Sequence, residues 1–194
     1  MLEIPTSIAT GSLRVGLQVV SSHKKPVLEV YYQVRNRFGP EQEIEIPVGV
    51  DGMRRSVHKS RPQDIFIQFT LVNIGGVRAE NVTLRIDGEL KRHHPREDFG
   101  GVFRSTISQF APGQSQHLFS FREFDLYEYP EGGGSPLGLK AESLTITMEY
   151  DAPPGMLNWF LSLPRKVRGK KRFAKVFSFS PEIVAGDLPP AEYV

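Results

Sequence analysis

Lysine and arginine side chains are concentrated in one segment of this 194-residue chain. Between Ala152 and Pro181 there are seven of them and no Asp or Glu. The whole chain has 24 Lys and Arg against 22 Asp and Glu, so the rest of the molecule carries a net charge of −5. A cationic segment on an acidic body is typical of binding to an anionic or acidic surface. The seven cations are Arg165, Lys166, Arg168, Lys170, Lys171, Arg172 and Lys175.

An apolar octet, Met156–Leu163, directly precedes these cations and includes Trp159 and Phe160. The octet and the cations lie between the last two predicted strands and so form a loop. Aromatic anchors beside arginines are typical of protein-binding hot spots, so we expect this loop to bind a partner protein. The same composition would suit an anionic membrane surface or nucleic acid, and both remain alternatives. We favour the protein because a net charge of +2 is low for a dedicated nucleic-acid binder. In the plainest interpretation, the octet packs as a short helix over one end of the fold and the cations are solvated.

A second basic segment, Met53–Arg61, precedes the strongest predicted strand. If it lies at the same end of the fold as the first segment, the two would form one basic face. The alternative is an ordinary solvated connector. The cations of this possible second patch are Arg54, Arg55, Lys59 and Arg61.

No constellation of residues indicates catalysis or metal binding. The sequence has no cysteine, which excludes zinc-thiolate sites and cysteine nucleophiles, and its five histidines show neither H-x-H nor H-E-x-x-H spacing. Carboxylates cluster between Glu41 and Glu45 and between Asp125 and Glu131, but nothing pairs them in a cleft. We therefore expect no catalytic residues, no metal and no cofactor. An enzyme with a dispersed site is the minor alternative.

Alternation of apolar and polar residues with a period of two recurs along the chain and predicts short strands. The clearest example is Asp64–Val72, where Ile65, Ile67 and Phe69 share one face. Eight or nine such strands separated by turn residues indicate an all-β antiparallel sandwich, and a closed barrel is the alternative. The predicted strands span residues 13–19, 28–34, 44–48, 64–72, 82–86, 101–110, 117–124, 143–150 and 172–179.

The strand at 44–48 has an unusual charge pattern. Ile44 and Ile46 are expected on one face, and Glu43 and Glu45 on an outer face that guards a sheet edge. Pairing of exposed strand edges into a homodimer remains an open alternative.

The segment Val72–Thr83 resembles the CARDB-type Ig-like sandwich modules of bacteria and archaea. In that family a strand ends in an Asn-x-Gly turn, and a small residue precedes Asn-Val at the next strand. Phe110–Ser115 resembles the second hallmark, an apolar residue before Pro-Gly. The resemblance covers about residues 64–124 and implies an Ig-like fold with a binding or spacing role. The matching positions are Asn73, Gly75, Ala79, Asn81 and Val82.

The residue types at these positions can be explained by backbone conformation and by packing. Asn73 and Gly75 are expected in the left-handed backbone of a tight turn, and Ala79 is expected to let strands cross closely. Pro112 and Gly113 predict a β-turn.

We expect a single domain over residues 1–183, with an N-terminal hairpin at about 12–36 and an elaborated loop at about 152–172. The Pro-rich tail, residues 184–194, is expected to be extended or disordered outside this domain. Met1–Thr6 lacks the features of a signal peptide, and no apolar run approaches the length of a membrane span, so a cytoplasmic location is expected.

Overall fold

The computed structural model describes residues 25–48, 54–92, 99–153, 170–182 and 188–194. Strands dominate this part of the chain, which also contains one short helix, α1 (Glu123–Leu126), and a 3-10 turn at Gly101–Phe103. The strands are β1 (Leu28–Phe38), β2 (Gln42–Val48), β3 (Arg54–Ser60), β4 (Gln63–Asn73), β5 (Ala79–Gly88), β6 (Thr106–Phe110), β7 (Ser115–Arg122), β8 (Tyr127–Glu128), β9 (Gly138–Leu139), β10 (Leu144–Asp151), β11 (Phe173–Phe179) and β12 (Glu192–Tyr193).

Two four-stranded sheets form a sandwich. One has the order β12-β1-β4-β7 and the other the order β11-β10-β5-β6. Neighbouring strands are antiparallel, except that β12 lies parallel to β1. The chain crosses between the sheets after β4, β6, β7 and β11, and the first three crossings are those of Greek-key sandwiches. The expectation of an all-β antiparallel sandwich is confirmed.

Aromatic rings from both sheets meet in the core. Phe69 on β4 stacks on Phe119 of β7 with ring centres 4.7 Å apart, and it meets Phe179 of β11 edge-on at 5.0 Å. All three rings are buried. Burying such a side chain contributes about 1.5–3 kcal/mol to the stability of the fold, so packing in this aromatic cluster is a major interaction between the two sheets.

The sandwich has two ends that matter for function. At one end, the amide of Leu28 at the start of β1 donates a hydrogen bond to the Tyr150 hydroxyl near the end of β10 (3.3 Å). This is the loop end, where the chain leaves β10 for β11. At the arm end, Phe38 pairs with Gln63 and the chain continues into the β2–β3 hairpin, which we call the arm. The eleven residues of β1 separate the ends by about 33 Å.

The arm is a two-stranded sheet that other described strands do not extend. The predicted strand at 44–48 lies within β2, but the two described isoleucines of its apolar face are only partly covered. Ile44 and Ile46 are 45% and 44% exposed. The strand pattern was correct, whereas the burial that usually accompanies such a pattern is absent at these two side chains.

The C-terminal residues 188–194 are extended, but they pack on the sandwich rather than extend away from it. Glu192 and Tyr193 pair with Arg37 and Phe38, and the Tyr193 ring stacks on that of Phe38 at 5.7 Å. Arg35 also forms an ion pair with Glu192. This part of the tail therefore completes one edge of a sheet.

The Val72–Thr83 segment follows its predicted strands but uses its residues differently. Asn73 and Gly75 do not adopt left-handed backbone, whereas Asn81 does, with φ of 51°. A Cβ at Gly75 would lie 2.4 Å from the Lys25 carbonyl oxygen, so close packing explains this glycine. Ala79 is fully buried, as close strand packing requires.

The turn predicted at Pro112 and Gly113 is confirmed. Gln114 donates its amide to the Ala111 carbonyl at 3.1 Å, and Gly113 has φ of 73°. These values define a type II turn. The predicted strand at 13–19, which would make a hairpin with β1, lies outside the described residues.

Candidate partner-binding loop

The loop between β10 and β11 is held at both of its ends. Asp151 ends β10, and its Oδ1 accepts a hydrogen bond from the Arg172 amide at 3.0 Å. Just inside this contact, the rings of Tyr150 and Phe173 stack at 5.4 Å, and the Arg172 guanidinium lies 5.1 Å from the Phe173 ring centre. The intervening chain is therefore closed at its base by a hydrogen bond and by stacked rings.

Lys171 is bound to the neighbouring strand rather than extended into solvent. Its ammonium donates to the carbonyl oxygen of Asn81 and to Oγ1 of Thr83 on β5, the latter at 3.0 Å. Burial lowers the pKa of Lys171, although the nearby carboxylates of Asp151 and Glu149 oppose that shift. The left-handed backbone of Asn81 belongs to this contact region. Lys171 thus fixes the direction in which the chain enters β11.

The two remaining cations of this region differ in environment. Lys175 on β11 forms an ion pair with Glu29 on β1, across the edge where the two sheets meet. Lys170 is exposed and forms no ion pair with the other described residues. Of the four described cations, Lys170 is therefore the one best placed to meet a partner.

Five of the residues that the sequence predicts to bind a partner lie outside the described residues, as does the octet Met156–Leu163. These five residues are Trp159, Phe160, Arg165, Lys166 and Arg168.

The second basic segment lies at the arm end, so the structure does not bring it to the described cations of the loop. Most of its residues form β3. Acidic residues in β2 and in the segment just before β2 compensate their charge. Arg55 contacts Glu45 at 2.8 Å, Lys59 contacts Glu41 at 3.0 Å, and Arg61 lies 3.7 Å from Glu41. Arg54 is the first residue of β3. The sequence signal missed this compensation because the two charge clusters are separated along the chain.

The remaining candidate groups do not converge. Among the described residues, no three His, Asp or Glu side chains could hold a metal ion together. Asp125 is buried as a structural cap, with its carboxylate accepting the Arg122 amide at 2.9 Å. His117 on β7 has a lowered pKa because of partial burial and, secondarily, the charge of Arg92. These groups serve local structure in separate places.

An open hollow of about 450 Å³ lies beside the outer end of β5. Arg85 and Asp87 line it from the strand, and Phe99 and Phe103 from the segment before β6. Sequence reasoning missed it because the 3-10 turn at Gly101–Phe103 brings these aromatic residues to β5. The described residues that line it include one carboxylate, that of Asp87, and no histidine, so they do not form an acid–base pair.

None of the described helices is long and apolar enough to cross a membrane. Comparison of the chain with protein-family models, with curated proteins and with solved structures returns no match.

Proposed function

We propose that this protein is a non-catalytic binding or adaptor module that engages a partner protein through the loop between β10 and β11. The supporting observation is the closed base of the loop, where Asp151 holds Arg172 and Lys171 is bound to β5. A loop anchored on a rigid sandwich can present side chains to a partner at low entropic cost. The resemblance to CARDB-type modules, which are mostly binding or spacing units, agrees with this proposal.

The residues of the loop divide into two roles. Trp159 and Phe160 serve as aromatic anchors, and the cations that follow them in the sequence supply positive charge, namely Arg165, Lys166, Arg168 and Lys170. Lys171, Arg172 and Lys175 hold the base of the loop on the sandwich through the contacts described above.

The contacts within the chain favour a protein over a phosphate-rich partner. Three of the four described cations already have contacts within the chain. Asn81 and Thr83 accept hydrogen bonds from the Lys171 ammonium, the Arg172 guanidinium lies over the Phe173 ring, and the Lys175 ammonium pairs with Glu29. Binding to nucleic acid draws its affinity from many cations that neutralise phosphates. Fewer cations with an aromatic anchor suit an acidic protein surface, where a few residues supply most of the binding energy.

The proposal is tested with two variants of equal charge change. Lys166→Glu with Lys170→Glu alters the loop but spares the base, and Lys91→Glu with Lys140→Glu is the matched control far from it. Immobilised wild type and control should retain a protein from native lysate that the loop variant and Trp159→Ala both lose. Thermal unfolding of all four proteins should agree within a few degrees, since no altered side chain is buried in the described core.

Two outcomes would contradict the proposal. Equal capture by all four proteins would remove the loop from the binding surface. Loss of nucleic acid or of anionic vesicles alone, with a steep dependence on salt, would identify the alternative function, charge-driven attachment through the same loop.

A further inference from the structure

The described part of the tail contacts β1 through side chains as well as through the backbone. The Arg35 guanidinium forms an ion pair with Glu192, and the Phe38 ring stacks on the Tyr193 ring with centres 5.7 Å apart. The Phe38 carbonyl also accepts the amide of Val194 at 3.2 Å. An acidic residue followed by an aromatic residue is therefore bound by a cation and by a ring of the sandwich.

Strand β4 orients the groups that contact the tail. Gln68 accepts a hydrogen bond from Nε of Arg35 at 3.3 Å, while Nη1 of the same guanidinium faces the tail. Asn36 is buried, and its side-chain oxygen accepts a hydrogen bond from Gln63 at 2.9 Å. The amide nitrogen of Asn36 is thereby directed at the tail, where it donates to the Pro189 carbonyl at 3.3 Å. These orientations depend on β4 and not on the tail, so the binding groups are preformed.

The tail itself is weakly held at this place. Its pairing with β1 covers two residues and is parallel, which is the slightly less stable kind of strand pairing. The ion pair lies at the surface, where solvent screens it. Tyr193 and Val194 are 71% and 74% exposed, so their burial contributes little. A preformed site with a weakly held occupant allows an external segment to replace the internal one.

We propose that this site binds an extended acidic–aromatic segment of another protein, with the tail as its internal competitor. We call it the tail site, and its members are Arg35, Asn36, Phe38 and Arg61. Arg35 binds the carboxylate and Phe38 stacks on the aromatic ring, while the Arg61 guanidinium lies 5.8 Å from the centre of the Tyr193 ring. The charged members are both arginines, which disfavours basic segments. Backbone hydrogen bonds to the edge of β1 add affinity, as in other cases of strand addition.

The tethering of the tail favours another protein over a second copy of this chain. A tethered segment competes at an effective concentration of about 1 mM. The tail of a second copy makes the same contacts and has no such advantage, so it does not displace the tethered one at lower protein concentrations. A segment that replaces the tail must fit the site better, and the tail sets the affinity that this segment has to exceed.

Fluorescence anisotropy of a labelled peptide with the sequence of residues 188–194 tests the site. The peptide is titrated with the wild type and with a protein carrying Glu192→Ala and Tyr193→Ala, in which the internal tail is loosened. The doubly substituted protein should bind the peptide about tenfold or more tightly than the wild type, because the competing occupant is removed. A control peptide with alanine at the same two positions should not bind.

Two further variants of the doubly substituted protein locate the binding. Arg35→Ala should weaken peptide binding about tenfold, because it removes the partner of the peptide carboxylate. Arg78→Ala is the matched control, since Arg78 lies just before β5 and pairs with Glu80. Equal peptide affinities of the wild type and the doubly substituted protein would overturn the proposal. So would equal affinities of the two arginine variants, or no binding at about 1 mM peptide.

Hydrogen exchange and sedimentation of the wild type complete the test. The amide of Val194, which donates to Phe38, should exchange about a hundredfold or more faster than the amide of Phe69 in the core. Equal protection of these two amides would mean that the tail does not leave its site. A dimer that forms with rising protein concentration and is dissociated by the peptide would identify the tail of a second copy as the occupant, against the proposal.

Discussion

The side-chain amide of Asn73 donates a hydrogen bond of 3.0 Å to the carbonyl oxygen of Phe110, 37 positions along the chain. The same amide donates to the Val77 carbonyl at 3.0 Å, and its oxygen accepts the amides of Gly75 and Val27 at 3.0 and 3.3 Å. One buried side chain therefore ties the end of β4 to the start of β1, to the turn before β5 and to the end of β6.

Asn73→Asp should destabilise the fold by about 2–4 kcal/mol, because the replacement keeps the shape but removes both donors, which leaves the buried Phe110 carbonyl and the part-buried Val77 carbonyl without this partner. The free energy of unfolding in urea measures the effect. Gln109→Ala, on the exposed side of β6, should change that free energy by less than about 0.5 kcal/mol. A loss at Asn73 no larger than at Gln109 would mean that the hydrogen bonds contribute nothing net.

Gly75→Ala should cost about 1–3 kcal/mol, since the new methyl group would lie 2.4 Å from the Lys25 carbonyl oxygen and the Val27 amide nitrogen. Gly138 provides a comparison, because a Cβ there meets no atom within 4 Å. Gly138→Ala should leave the unfolding midpoint unchanged or slightly raised. Equal unfolding midpoints for the two variants would show that the backbone near Lys25 can move away from the new methyl group at little energetic cost.

Tyr150 should make the protein sensitive to alkali. Burial raises the pKa of its hydroxyl above the usual 10.0. The folded state therefore keeps the phenol proton at pH values where the unfolded chain has lost it. This contribution to the free energy of unfolding is fully present below pH 10.0 and is lost as the pH rises through the pKa of the folded state. Tyr150→Phe should lose about 0.5–1.5 kcal/mol at neutral pH with the Leu28 hydrogen bond.

The measurement is the free energy of unfolding from about pH 8 to pH 11. The Tyr150→Phe protein should show a shallower decline above pH 10.0 than the wild type. The pKa values of Tyr31 and Tyr32 are also raised, so these two residues contribute to the loss of stability at high pH in both proteins. Parallel curves would contradict the assignment to Tyr150.

Asp151→Ala should open the base of the loop. The Arg172 amide loses its acceptor, so its hydrogen exchange should accelerate about tenfold or more while exchange in β4 stays slow. Asp151→Asn retains an oxygen that can accept the same bond and should show a much smaller change. Fast exchange of Arg172 in the wild type would mean that the base is already open.

The sequence predicted the central strands well because each has one buried face. In β10, Leu144, Ile146, Met148 and Tyr150 are buried in strict alternation, and periodicity detects this directly. The same signal at Ile44 and Ile46 misled about burial, since alternation records which side chains share a face and not whether another layer covers them. The docking of the tail on the sandwich could not be predicted from the sequence, because it depends on the distant partners Arg35 and Phe38.

For the candidate site, composition identified the cations but not their contacts. Lys171 and Lys175 appear alike in the sequence, yet one is bound to Asn81 and Thr83 and the other to Glu29. The charge compensation of Arg55 and Lys59 by β2 depends on strand register, which becomes apparent only when the hairpin is formed. Such pairings are tertiary, so a single sequence without a fold cannot assign them.

The length of β1 has a consequence for how the protein can be handled in binding experiments. Because the loop and the arm emerge at opposite ends of an eleven-residue strand, a label or a surface attached through the arm is held far from the loop. Immobilisation through the arm therefore leaves the loop end open to solution.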